Sequence, residues 1–266
     1  VVKNNCLSSI LEKIENLGLD FPLIIKPNIG FRGYLVKKID SSRALENYLQ
    51  HVDEELIIQE FIPYENELGI FYHRIPGQTK GKITSVTIKK FLKVKGDGIL
   101  TLSALIQKDK RAFLYTDLFY ALHRDQLNKI LAKDEELTLS LIGNHSKGTQ
   151  FINGNHLINQ ELEAFIDKVC QKMNGWYYGR LDIKYENYPK MLRGEAFKIL
   201  EINGIISEPT HIYDASHKNA SYFNALKSIN EHWNIMGKIA LKNHKEKNIS
   251  YPSIKDYIKN MYWLRS

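Results

Sequence analysis

Apolar positions recur at helical spacing where the chain begins and then give way to short, punctuated runs. Leu7, Ile10, Leu11 and Ile14 share one face of a helix predicted over residues 7–17, and Gly18 ends it. Pro22 to Lys26 reads as a short buried strand, stopped by Pro27 and the glycine-bearing turn from Asn28 to Gly33. Tyr34 to Ile39 predicts a second strand, Ser41-Ser42 caps a helix reaching about Leu49, and Leu56 to Phe61 is a third apolar run.

After Pro63 the runs lengthen and fill with Thr, Val, Tyr and Phe, the residues that suit a half-buried pleated surface. Strands are predicted over Glu67 to Ile75, Ile83 to Val94 and Leu137 to Ile142, with mostly helical chain over residues 101–132. An amphipathic helix occupies residues 160–173. Tyr177 to Tyr185 and Phe197 to Ile202 are two further strands, joined by a polar connector containing Pro189 and Gly194. From about Asn219 the tail is helical, with Trp233 and Trp263 its expected packing anchors. No internal repeat or low-complexity stretch interrupts the pattern. It is that of a mixed α+β chain, with a small lobe before Glu60 and a larger one after Pro63.

Composition narrows this picture. A length of 266 residues suits one to two domains, and 43% hydrophobic with 25% charged residues excludes a disordered chain, a collagen or a disulfide scaffold. Cys6 and Cys170 are far apart with no CxxC spacing, so no zinc ribbon or secreted framework is indicated. Runs such as Leu56-Ile57-Ile58 fall far short of the ~20 apolar residues of a membrane span, and no basic-then-apolar leader is present. The expected setting is soluble, reducing and cytoplasmic. The chain opens on Val1, not Met, as a processed product or fragment would. The excess of 37 Lys plus Arg over 30 Asp plus Glu gives a formal charge of +7. Such a balance suits nucleic acid, a membrane surface or small anionic ligands, but most of it reads as solvated lysine surface.

Three segments carry candidate chemistry. Lys26 leaves the end of a buried strand, and the following Asn28-Ile-Gly30-Phe-Arg32-Gly33 turn can converge backbone N–H groups on phosphate oxygens. It lacks the GxxxxGK[ST] spacing of a P-loop, and alone it is equally a tight turn beside a surface lysine. Gln59-Glu60-Phe61-Ile62, leading to Glu67, could offer backbone groups to a purine edge and a carboxylate to ribose hydroxyls, or could be a strand edge with solvated glutamates. The third segment is the most pointed. Alternation places Arg180, Asp182 and Lys184 on one face of their strand, and Glu201 and Asn203 on one face of the next. Asp182, Glu201 and Asn203 are hard oxygen donors of the kind that hold Mg²⁺ against phosphates, with Arg180 beside them able to clamp an oxyanion.

In this order and spacing the segments resemble the ATP-grasp superfamily, in its D-alanine–D-alanine ligase, glutathione synthetase and cyanophycin synthetase-like branch. The likeness rests on five segments between residues 22 and 204. It implies an ATP-grasp fold: two α+β lobes sandwiching the nucleotide, with a helical carboxy-terminal tail. Residues 1–62 would be the small lobe, 63–215 the large lobe and 216–266 the helical segment. It also implies roles: Lys26, Gly30, Arg32 and Gly33 on phosphates, Glu60, Phe61 and Ile62 at the adenine hinge, and Glu67 on ribose. Gly179-Arg180-Leu181-Asp182 resembles the GR[ILV]D strand, with Arg180 and Lys26 catalytic, and Glu201-Ile202-Asn203 resembles the closing ExN motif. Asp182, Glu201 and Asn203 would hold two Mg²⁺ ions. Val94-Lys95-Gly96-Asp97-Gly98 resembles the GDG-to-helix stretch of cyanophycin-synthetase-like ligases, and Ser207 to His211 falls where such ligases hold an acceptor or acyl substrate.

Departures are visible too. The family carries an amino-terminal substrate-binding domain and a further ATP-binding lysine before the Lys-Pro strand. Only about twenty residues precede Pro22, too few for a domain, and Lys3 is a poor substitute for that lysine. Either the domain is missing from this chain, which the opening on Val1 favours, or this variant has dispensed with it. Phe31 and Arg32 are bulky for the loop.

The resulting expectation is an ATP-dependent, ADP-forming carboxylate–amine ligase working through an acyl phosphate, on small-molecule substrates, with a homodimer as one assembly. Two rival readings stand beside it: an ATP-grasp kinase acting on a hydroxyl, and a non-catalytic basic module for nucleic acid or acidic partners, hinted at only by Lys89, Lys90, Phe91 and Lys95. His145, His156 and His211 show no HExxH or HxH spacing, so no further metal site is indicated.

Overall fold

The computed structural model describes residue 2 and residues 7–30, 33–216 and 220–247. Lys3, Cys6, Phe31, Arg32 and Trp263, each singled out above, lie outside the described residues. In chain order the elements are α1 (Leu7–Asn16), β1 (Leu23–Pro27), β2 (Lys37–Ile39), α2 (Ser42–Leu49), β3 (Leu56–Glu60), β4 (Asn66–His73), β5 (Lys82–Lys90) and β6 (Lys93–Lys95). There follow α3 (Leu102–Lys108), α4 (Thr116–Leu122), β7 (Glu136–Thr138), β8 (Gln150–Asn153), α5 (Gln160–Cys170), β9 (Tyr178–Tyr185), α6 (Tyr188–Leu192), β10 (Phe197–Asn203) and α7 (Tyr222–Lys247). The fold is α+β. Two compact units divide the chain: Val1–Glu67, Lys89–Phe151 and Lys184–Glu186 form one, and Leu68–Ile88, Ile152–Ile183 and Asn187–Ser266 the other.

In the first unit α1 and α2 cover an antiparallel sheet of order β2-β1-β3. Ile10 and Ile14 of α1 and Leu45 and Tyr48 of α2 meet Leu23, Ile25, Ile39 and Leu56 in one core. Each such side chain removed from water contributes about 1.5–3 kcal/mol. The ends of these helices are chemically marked. Ser41 Oγ accepts from Ala44 N at 3.3 Å, and Gly18 stops α1 in a left-handed conformation (φ 62°) while Leu19 N donates to Ile14 O at 3.0 Å. A second core gathers Val94, Leu102, Leu105, Ile106, Ala112, Phe119, Leu131 and Leu139 from α3, α4 and the region of the two-stranded β6–β7 sheet.

The second unit is built on a five-stranded sheet of order β10-β9-β4-β5-β8. Leu162, Phe165, Ile166 and Cys170 are the buried side of α5. The helix is tied down by Asp167, whose Oδ1 accepts from Tyr72 Oη at 2.6 Å and Gly81 N at 2.8 Å. From α7, Ile235 and Ile239 pack with Phe71 and Tyr178. Cys170 is a buried free thiol whose pKa burial raises, as an inert structural cysteine requires. Among the described residues no helix is long and apolar enough to cross a membrane.

Several expected elements are shorter than the apolar pattern suggested. The strand expected from Tyr34 starts only at Lys37, because Leu35 adopts φ 51° in a turn and its carbonyl accepts from Tyr48 Oη at 2.6 Å. The run Ile83 to Val94 breaks after Lys90: Val94 joins the second core of the first unit, and β6 pairs antiparallel with β7 in a separate two-stranded sheet. Residues 101–132 are helical in pieces, since Asp109 Oδ1 accepts from Arg111 N and Ala112 N and so stops α3. Trp233 is not a packing anchor. It is 65% exposed, while His232, Ile235 and Ile239 form the buried stripe of α7.

Candidate active site

In the first unit, β1 alternates Leu23, Ile25 and Pro27 into the core with Ile24 and Lys26 on the other face. The register places Ile57 opposite Lys26, with Gln59 and Lys38 opposite Ile24, so a mixed polar and apolar face is presented there. Lys38 Nζ lies 4.9 Å from the Phe61 ring centroid, a cation–π contact. Beside Phe61, Glu60 is exposed and Ile62 buried. Gly30 is exposed, and Gly33 lies against Ile142.

Glu67 is not on an open surface. Its side chain is 3% exposed and its Oε1 pairs with Lys89 Nζ at 2.6 Å, the lysine being 4% exposed. Gly143 closes over the carboxylate so tightly that a Cβ there would stand 2.4 Å from Oε1. Lys184 completes the buried cluster, donating to Tyr64 O at 2.7 Å and sitting 4.8 Å from the Phe91 ring centroid. Burial lowers its pKa, aided by Lys89 and opposed by Glu67 and Glu65.

In the second unit Arg180 and Asp182 form a bidentate pair, Nε to Oδ1 at 2.9 Å and Nη2 to Oδ2 at 3.3 Å. Burial disfavours the guanidinium charge, yet Asp182 and then Glu201 and Glu208 outweigh it and the pKa of Arg180 rises. Three carboxylates thus act on one cation. Glu201 is exposed on β10, and Asn203, half-buried two residues on, has a buried Nδ2 with no hydrogen-bond partner. Turning that amide about its last torsion would put Oδ1 in the same place. Oxygen donors from Asp182, Glu201 and Asn203 suit a hard cation, and an unsatisfied amide beside them fits a ligand-holding role. Among the described residues no three His, Cys, Asp or Glu side chains group as a metal site; this donor set has two carboxylates and an amide.

The loop after β10 is fastened to β5. His211 Nδ1 and Ser85 Oγ are 2.6 Å apart, Thr210 and Thr87 hydroxyls 2.9 Å apart, and Tyr213 Oη donates to Glu208 Oε1 at 2.6 Å. Ser85, Thr87 and Gly143 carried no expectation from the sequence, and Lys89 only that of a basic strand. A signal existed: Ser85, Thr87 and Lys89 alternate as a polar stripe along a buried strand, the same pattern that marked Arg180, Asp182 and Lys184.

Each unit thus carries its own candidate residues: a mixed polar and apolar strand face with Lys26 and Lys38 in one, and in the other an arginine paired with Asp182 and acted on by Glu201 and Glu208. No protein-family model matches the sequence, and no curated protein matches it. Among solved structures the chain is similar to the VanG D-Ala:D-Ser ligase from Enterococcus faecalis, at 16% identity and a TM-score of 0.46, covering 91% of this chain and 55% of that one. It is similar as well to the D-alanine-D-alanine ligase from Coxiella burnetii (9% identity, TM-score 0.44, 98% and 55% covered). A bifunctional glutathione synthetase from Pasteurella multocida matches at 15% identity and a TM-score of 0.39, with 80% of this chain and 30% of that one covered. The chain therefore spans about half or less of the length of these proteins.

Proposed function

We propose that this chain carries the ATP-using chemistry of an ADP-forming carboxylate–amine ligase. The observation that carries the reading is the half-buried Arg180 paired with Asp182 and acted on by Glu201, with the unsatisfied buried amide of Asn203 two residues along the same strand as Glu201. Lys26 with Gly30 and Gly33 would hold phosphate oxygens, and Glu60, Phe61 and Ile62 the adenine. Glu67 is enclosed in this structure, so its contact with ribose requires the turn at Gly143 to move. Asp182, Glu201 and Asn203 would hold Mg²⁺, which when bound neutralises phosphate charge and so eases phosphoryl transfer.

The substrate carboxylate oxygen takes the γ-phosphoryl group and ADP leaves. The amine nitrogen then attacks the acyl carbon, the carbon–oxygen bond to phosphate breaks, and inorganic phosphate departs with the electron pair. Arg180, fixed by its two bonds to Asp182, stabilises the negative charge that develops on the transferring or tetrahedral group. His211, whose Nδ1 lies 2.6 Å from Ser85 Oγ, would be the group that receives the proton the amine must lose. Catalysis is mostly positioning and electrostatics, as phosphoryl transfer in general requires.

The test is ADP release from ATP and Mg²⁺ over a panel of amino acids and dipeptides. Release that needs both a carboxylate and an amine is expected, and Glu201→Ala or Asn203→Ala abolishes it while circular dichroism is unchanged. Normal turnover in either variant sinks the assignment. Release that ignores the amine makes the chain a kinase instead.

A further inference from the structure

Away from this chemistry the second unit contains a small cleft between the β4–β5 connection and α7. Its volume is about 190 Å³, and its walls are His73, Ile75, Gln78, Lys80, Gly81, Lys82, Ile235 and Lys238. Three lysines, a histidine and a glutamine face it, and no carboxylate does. Among the described residues none of Lys80, Lys82 and Lys238 is in an ion pair. His73 Nδ1 is buried with no hydrogen-bond partner, and the adjoining Arg74 has a buried, unpartnered Nε. An unsatisfied buried polar group is costly, so one here calls for an explanation.

The walls are held rigidly. Gly81 N donates to Asp167 Oδ1 at 2.8 Å and Gln171 Nε2 to Thr79 O at 2.9 Å, so α5 fixes the backbone from which Lys80 and Lys82 project. Ile235 packs with Phe71 and Tyr178 and fixes the turn of α7 that carries Lys238. Like charges held together without counter-charges repel one another, and the loss is recovered when an anion enters. The titration of His73 reports the same field: burial first, then Lys82 and Lys238, push its pKa down to about 4, so the ring is neutral at pH 7. The size of the cleft limits the anion. Pockets for drug-sized ligands run about 300–1,000 Å³, so this one is too small for a nucleotide.

We propose that the Lys80–Lys82–Lys238 cleft, with His73 at its wall, is a binding site for a small phosphate-type anion, separate from the ATP chemistry. Its ligand is inorganic phosphate or the phosphate group of a small monoester. An anion there accepts from the three ammonium groups and from the His73 ring, and favours the protonated imidazolium. The charged and titratable groups around that ring are Arg74 beside it in the chain, Lys80 just before β5, Lys82 at the start of β5, and Lys238 and His232 of α7.

The experiment needs neither ATP nor a substrate. The chain is titrated with inorganic phosphate, and separately with glycerol 3-phosphate, at constant ionic strength set by chloride, while the His73 ring resonances are followed by NMR. A saturable shift with a Kd of about 1 mM or tighter is expected, together with a rise in the pKa of His73. A combined Lys82→Gln and Lys238→Gln substitution, on exposed positions that leave the fold intact, should weaken binding at least about tenfold, one decade in Kd. Equal affinity for both probes assigns phosphate itself, and a tighter monoester assigns a phosphorylated metabolite. A shift that grows linearly, that chloride reproduces, or that survives the double substitution overturns the site. So does binding of a short DNA duplex without phosphate binding, which would make the lysines a nucleic-acid surface.

Discussion

Removing the ammonium of Lys89 is expected to be among the most destabilising single changes in the first unit. Lys89→Met keeps the length of the side chain but leaves the Glu67 carboxylate buried at 3% exposure beneath Gly143, without its partner at 2.6 Å. At that distance the attraction is about 6 kcal/mol for an effective dielectric near 20, and most of it offsets the desolvation of the two charges. The net worth of the pair is therefore small. Breaking it from one side is not, because a buried charge stripped of its close partner costs about 3–5 kcal/mol, which the more distant Lys184 offsets only in part. Urea unfolding should show Lys89→Met less stable by that amount, as should Glu67→Gln to a lesser degree, since an amide still donates and accepts. The combined Glu67→Leu and Lys89→Met protein should recover most of the loss, giving a coupling energy above about 2 kcal/mol in the double-mutant cycle. A loss under about 1 kcal/mol for Lys89→Met, within the range of exposed pairs, refutes the claim that this ion pair is sealed from water.

The remaining expectations are shorter. Gly143→Ala sets a methyl group 2.4 Å from Glu67 Oε1 and should cost about 1–3 kcal/mol, read by the same unfolding curves; Gly204→Ala, where nothing lies within 4 Å, serves as the control without the collision. His232 is buried against Tyr178 Oη, with its pKa lowered to about 4 by burial and by the neighbouring His211 and His73. A histidine depressed in the folded state contributes its stability above the unfolded pKa of about 6.5 and loses it as pH falls toward 4. Unfolding free energy should thus drop by on the order of 2 kcal/mol between pH 7 and 4.5, and His232→Phe should flatten that slope.

Local signals in the chain carried much of this molecule. The spacing of Leu7, Ile10, Leu11 and Ile14, the Ser41 cap and the stop at Gly18 set the first helices, because caps and amphipathic faces are decided within a few residues. The alternation Arg180, Asp182, Lys184 likewise announced a polar face on a buried strand, since side-chain direction along a strand has period two wherever the strand pairs. Beyond that range the pattern was silent. That Leu35 turns and not Lys37, that the chain breaks at Phe91 and that Trp233 faces water while His232 is buried depend on partners far away in sequence. The same holds for the site. Residue types suggested Glu67 as an open ligand, yet its environment comes from Lys89, 22 residues on, and from Gly143, which no periodicity connects to it. Charge followed the same division: composition established an excess of seven positive charges, but only the packing of α7 beside the β4–β5 connection gathers three of the lysines around one cleft without a carboxylate. Hydrophobic periodicity acts over one turn or one pleat, whereas burial and electrostatics act through space, so the elements could be read in one dimension and their chemistry only in three.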